Sequence, residues 1–139
     1  MAVELHVFLQ DQKIPTRDTW QRQIELLEFP TELDPSLDVR RHSGYRPSIF
    51  RGASTGFEFY LEPADGILDA YPHIRHLVAS RNRCATFRWS GDPSECGAAL
   101  CAAAALANAA DGIYFYPDDD LLYDPAEAVE ATRRDLDSI

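Results

Sequence analysis

From Ala98 to Ala110 nine residues are alanine, and the only polar side chain in that run is Asn108. Alanine is the strongest helix former, so the run reads as helix. A helix with no polar side belongs inside a protein, against close-packed neighbours. Small side chains let such a helix approach a sheet closely, and a bulky or charged residue at Ala102 or Ala103 should overpack it by about 1–3 kcal/mol or more. Its start is written in Gly91-Asp92-Pro93-Ser94-Glu95, with Asp at the cap, Pro at the first helical position and Glu at the third. Gly112 is the expected left-handed stop.

The remaining elements follow from spacing. Val3 to Leu9 sets Val3, Leu5 and Val7 against Glu4 and His6, which predicts a strand with one buried face. Trp20, Ile24 and Leu27 recur at helical intervals, so residues 17–28 form an amphipathic helix capped by Asp18 (with Gln21) or Thr16, and Pro30 ends it. Leu37 to Arg41 is a candidate short strand. His42 to Thr55, with two glycines, Pro47 and four Ser/Thr residues, reads as loop. Phe57, Phe59 and Leu61 alternate with Glu58 and Tyr60 as a strand introduced by Gly56. Ala64-Asp65-Gly66 reads as a turn, Ile67 to Tyr71 as one helical turn before Pro72, and Cys84 to Trp89 as another strand. Ile113 to Tyr116 is a strand that pairs with Leu121 to Tyr123 across Asp118–Asp120 as a hairpin. Asp124-Pro125-Ala126-Glu127 repeats the helix-start signal and opens a last helix, with Arg133 and Arg134 near its end, where positive charge suits the dipole.

A chain of 139 residues suits one domain, and at that size about two-thirds of the unfolded surface can be buried without a metal or disulfide. The element order predicts a single α+β domain over residues 1–139. Its sheet is mixed but mostly antiparallel, and the Ala-rich helix is buried on one face.

Charge is unevenly placed. Residues 111–139 hold nine acidic and two basic groups, so −7 of the chain's net −10 sits in this short end. Acidity opposes non-specific binding to nucleic acid and to anionic membrane, and it hastens encounter with a cationic protein. It also serves plain solubility. The longest apolar run, Cys96 to Ala107, is too short and too weakly apolar to span a bilayer. The N-terminal residues lack the basic-then-apolar pattern of a signal peptide. The three cysteines form no paired framework, which points to a reducing cytoplasm.

Few residues are arranged for chemistry. His73 and His76 are three apart, but no carboxylate or cysteine is placed beside them, so no metal site is assigned. Cys96 and Cys101 are five apart, outside zinc-knuckle spacing, and suit core packing. Glu58 and Glu62 are four apart on the same side of one strand, a spacing compatible with a glycosidase-like carboxylate pair but not specific to one. There is no phosphate loop, nucleophile elbow or His-Glu-x-x-His motif, and no cofactor is expected. The basic stretch Arg40 to Arg46 reads as a solvated loop that pairs with the chain's own acidic end. Asp118, Asp119 and Asp120 point in opposing directions along extended chain, which disfavours a chelate; they suit an ordinary solvated turn or a charged rim for a basic partner. Tyr114, Tyr116 or Tyr123, wherever they face outward, are amphipathic anchors beside that rim.

The order of Ser43-Gly44-Tyr45-Arg46-Pro47, Gly56-Phe57-Glu58-Phe59-Tyr60, Phe87-Arg88-Trp89-Ser90-Gly91-Asp92 and Asp124-Pro125-Ala126-Glu127 resembles the small cytoplasmic immunity proteins of bacterial polymorphic toxin and type VI secretion systems. The resemblance covers about residues 15–130. It implies a protein that binds a cognate toxin domain and blocks it, and it carries no catalytic residues. The expected docking residues, taken from charge and aromatics, are Tyr45, Tyr116, Asp118, Asp119, Asp120 and Tyr123. The expected partner is a basic toxin domain, met by a monomer or homodimer. Two other readings stand beside it: a small enzyme using His42, Ser43, Tyr45 and Glu58 near the 42–60 region, and an adaptor that self-associates through a sheet edge or the last helix.

Overall fold

The computed structural model describes residues 2–139. Seven strands form one sheet: β1 (Val3–Leu9), β2 (Thr31–Leu33), β3 (Gly44–Phe50), β4 (Ala53–Pro63), β5 (Arg83–Trp89), β6 (Ile113–Tyr116) and β7 (Leu121–Tyr123). Their order across the sheet is β2-β3-β4-β5-β1-β6-β7, and every pairing is antiparallel. The four helices are α1 (Arg17–Leu26), α2 (Ala64–Ala70), α3 (Pro93–Ala110) and α4 (Pro125–Leu136). This is the α+β domain expected, with a sheet that is wholly antiparallel.

Helix α3 lies inside, as its alanines require. Residues 97–107 are all buried, Ala102 and Ala103 completely, against α1, α4 and one face of the sheet. Asp92 caps it by accepting from the Ser94 amide. Its stop differs from expectation. Asp111, not Gly112, is left-handed (φ +52°), a conformation that Asp tolerates among L-residues. Gly112 is needed for a different reason: a Cβ there would lie 2.9 Å from Val7 Cγ1 and 3.0 Å from the Phe8 carbonyl oxygen.

Helix α1 is capped by Thr16, whose hydroxyl accepts from the Thr19 amide; Asp18 is not the cap. Trp20 drives into the core, stacks near Phe59 and Phe87, and donates from its indole nitrogen to the Ala102 carbonyl at 2.9 Å. Helix α4 begins with the full reciprocal box, in which Asp124 accepts from the Glu127 amide and Glu127 from the Asp124 amide.

Three expectations are corrected. Residues 37–41 are turns and not a strand. The Asp34 and Asp38 carbonyls and side chains accept from amides just downstream, so local bonds satisfy this backbone while Leu37 and Val39 pack inward. The adjacent strand is Thr31–Leu33, which composition alone did not signal. Residues 42–55 are mostly strand: β3 and β4 form a hairpin closed at Arg51-Gly52, both with positive φ, as a two-residue turn requires. Its glycine and proline are accommodated by packing, because Gly56 sits opposite Pro47 within the ladder and the Tyr45 ring lies across it. Finally, Ala64-Asp65-Gly66 is the first turn of α2 rather than a loop.

Strand β1 is buried on both faces, not one. Leu5, Val7 and Leu9 meet the main core, while α2 and the following 3-10 turn (Pro72–Leu77) cover Phe8, Cys84 and Phe115 on the opposite face in a second, smaller core. No helix among the described residues is long and apolar enough to cross a membrane.

Candidate functional site

The sheet's period of two divides the expected docking residues. Tyr123 pairs with Tyr114, and Tyr114 with Val7, so Tyr114, Tyr116 and Tyr123 share the face that carries α3 and α4. Tyr45 pairs with Glu58 and lies on the other face. It is also four strand positions away, about 19 Å at ordinary strand spacing. Tyr45 is 57% exposed, but the fold does not bring it together with the other five.

Those five gather at the β6–β7 end, though not as one cluster. Tyr114 is buried, and burial pushes its phenol well up; it is no anchor. Tyr116 and Tyr123 are half-buried. Between the β6–β7 hairpin, α3 and α4 lies a cleft of about 360 Å³. Its floor is Trp89, Leu100 and Tyr114; its walls are Tyr116, Tyr123 and Leu121, the last 37% exposed. Asp119, Arg134 and Asp135 stand at its rim. Burial and then the carboxylates of Asp118 and Asp119 raise the Tyr116 phenol above its usual range, so negative potential reaches the cleft wall. Burial also raises Asp135, against the pull of Arg134.

Asp120 turns away. It is left-handed at the end of the 3-10 turn 117–119, and its carboxylate meets His73 Nε2 at 2.8 Å. The chain at residues 118–120 is thus a 3-10 turn with its cap and not extended, and Asp120 is drawn off to His73. Among the described residues no three His, Cys, Asp or Glu side chains are grouped to hold a metal.

Comparison with protein-family models, curated proteins and solved structures finds no match.

The basic stretch pairs within the chain, but with acids of the first forty residues and not with the acidic end: Arg40 with Asp11, Arg41 with Asp38, and Arg46 with Asp34. Burial works to raise Asp34, yet the Ser36 amide and hydroxyl and the Arg46 guanidinium outweigh it and hold the carboxyl below its usual value. Of the groups in the enzyme reading, His42 Nδ1 accepts from the Asp38 amide, Tyr45 lies across Gly56, and Glu58 accepts from the Tyr60 hydroxyl. Burial pushes the Cys84 and Cys101 thiols up to about 12, which suits packing and not nucleophilic attack.

Part of the cleft's lining is not signalled by the sequence: Trp89 and Leu100 of its floor and Asp135 of its rim come from three separate elements, brought together where α4 packs on α3 and β6. The helical spacing of Ala128, Ala131 and Asp135 was the available hint, since it puts Asp135 near the inward side of α4.

Proposed function

We propose that this protein is an immunity-type inhibitor in a reducing cytoplasm, which captures a basic toxin domain and covers its active site. One observation carries the reading: a tyrosine-walled cleft with an apolar floor and an acidic rim, at the most negative end of the chain. Such a cleft suits an arginine or lysine. The alkyl stem rests on Leu100 and Leu121, the cationic head meets Asp119 and Asp135, and the Tyr116 and Tyr123 rings flank it. Charge on the rim hastens encounter, while the buried rings set residence time.

The test is capture of the partner from the native cell, followed by binding kinetics and by protection of cells that express the captured domain. Reversing Asp118 and Asp119 to Lys should lower the association rate about tenfold or more at low salt and flatten its salt dependence. Tyr116→Ala should shorten residence about 30-fold, the scale of a central aromatic anchor. Both variants should protect cells less well. Unchanged kinetics in both would place the docking surface elsewhere.

A further inference from the structure

The other face of the sheet holds a second, smaller cleft of about 230 Å³, bounded by Glu4, His6, Tyr60, Glu62 and Arg88, with Ile67 of α2 at its edge. Cross-strand register builds it. Arg88 lies between Glu4 and Glu58, and Thr86 between His6 and Tyr60, so one strand step brings a row of charges beside a row of hydrogen-bonding groups.

His6 is the informative residue. It is 1% exposed, yet its Nε2 has no hydrogen-bond partner. A buried polar atom left so is costly, about 1–3 kcal/mol, and native proteins rarely keep one without a reason. The ring's orientation is held from the other side, where Nδ1 meets Thr86 Oγ1 at 2.8 Å. The Thr86 hydroxyl can pair with either ring tautomer; in the one with the proton on Nδ1, Thr86 accepts it, its hydroxyl turns to Cys84 Sγ at 3.7 Å, and Nε2 presents a lone pair. That lone pair faces Glu4 Oε2 at 3.8 Å. Two acceptors cannot bond each other, so the pair needs a shared donor, about 2.9 Å from each, which reaches the buried Nε2 when the Glu4 carboxylate shifts. The Glu4 side chain over Nε2 is 42% exposed, with solvent room to swing aside.

The surroundings specify the donor. Glu4 and Glu62 outnumber Arg88, so the cleft is net negative; Arg88 lies 3.7 Å from Glu4 Oε1, and Glu4 Oε2 is the oxygen toward His6. Glu58 is occupied by the Tyr60 hydroxyl. The space is below that of drug-sized pockets, and Ile67 and the Tyr60 ring supply its apolar wall.

We propose that this cleft binds a primary alkylammonium group, held between Glu4 and the Nε2 lone pair of His6, with Glu62 further along the cleft adding negative charge and the stem against Ile67 and Tyr60. The group can come from a free small amine or from a lysine side chain. The site lies on the face opposite the β6–β7 cleft and stands whether or not that cleft docks a toxin.

The test follows the His6 ring nitrogens by NMR in the full chain while n-butylammonium is added. Nε2 should shift, with a dissociation constant on the order of 1 mM or below. Tetramethylammonium, which has the charge but no N–H, should leave it still. Glu4→Gln and Glu62→Gln, both with solvent-exposed side chains, should fold normally; the first should weaken binding at least fivefold and the second by less. A capped lysine peptide added in parallel separates the two sources: tighter binding than butylammonium assigns the site to a lysine of a partner. No response of Nε2 to either amine, or an equal response to tetramethylammonium, would overturn the proposal.

Discussion

Replacing Trp20 by alanine is expected to destabilise the protein by about 3–5 kcal/mol. That is a large share of the roughly 5–15 kcal/mol that holds a domain folded. The indole is completely buried, its ring lies 5.5 Å from Phe59 and 6.0 Å from Phe87 between centroids, and its N–H ends on the Ala102 carbonyl. It is thus a large side chain joining α1, the sheet and α3, and α3 itself is made of alanines that cannot expand to fill the gap. Trp20→Phe should lose less, because the ring contacts largely survive and one hydrogen bond, about 1 kcal/mol, is removed. Urea unfolding of the three proteins checks the order. A Trp20→Ala protein within 1 kcal/mol of the parent, on the scale of a single hydrogen bond, would mean that this junction collapses without penalty.

Acid should weaken the fold through His6. Burial pushes its imidazole from the ordinary 6.5 down to about 4. In the unfolded chain the ring takes its proton near 6.5, and in the folded protein only near 4. Between those values the unfolded state binds the extra proton, so stability falls as pH falls across that window and levels off below it. The full loss is about 3 kcal/mol. The groups around the ring are Glu4 beyond Nε2, Thr86 and Cys84 at Nδ1, and the Tyr71 and Phe115 rings. His6→Phe removes the titration and keeps an aromatic there. Its stability between pH 7 and pH 4 should therefore drop by about 3 kcal/mol less than the parent's. Acidic groups such as Asp34 titrate in both proteins and cancel in the difference. Parallel pH curves would rule out a buried neutral His6.

Local signals made part of this fold legible. Asp92-Pro93-Glu95 and Asp124-Pro125-Glu127 marked two helix starts because capping is a short-range matter of one side chain and two amides. Phe57-Phe59-Leu61 marked a strand because its two faces meet different solvents. Strand β3 was missed for the opposite reason: Gly44, Pro47 and Ser48 are poor strand formers alone, and only the facing Gly56 and the Tyr45 ring make them a good ladder. His6 looked solvent-facing by alternation, since nothing near it in sequence shows that residues 64–77 fold back over that side. The docking residues suffered most. Tyr45 and Tyr116 are equally plausible as a string, but β1 is inserted between β5 and β6, and strand parity sends the two rings to opposite faces.

The sheet's two margins, β2 and β7, are each three residues long. Each such strand offers only a short amide ladder for another chain to extend. Growth into ribbons or fibrils is thereby discouraged, even at high concentration. The longer uncovered stretch is residues 44–47 of β3, beyond the reach of β2, and there Pro47 has no amide to give a foreign strand.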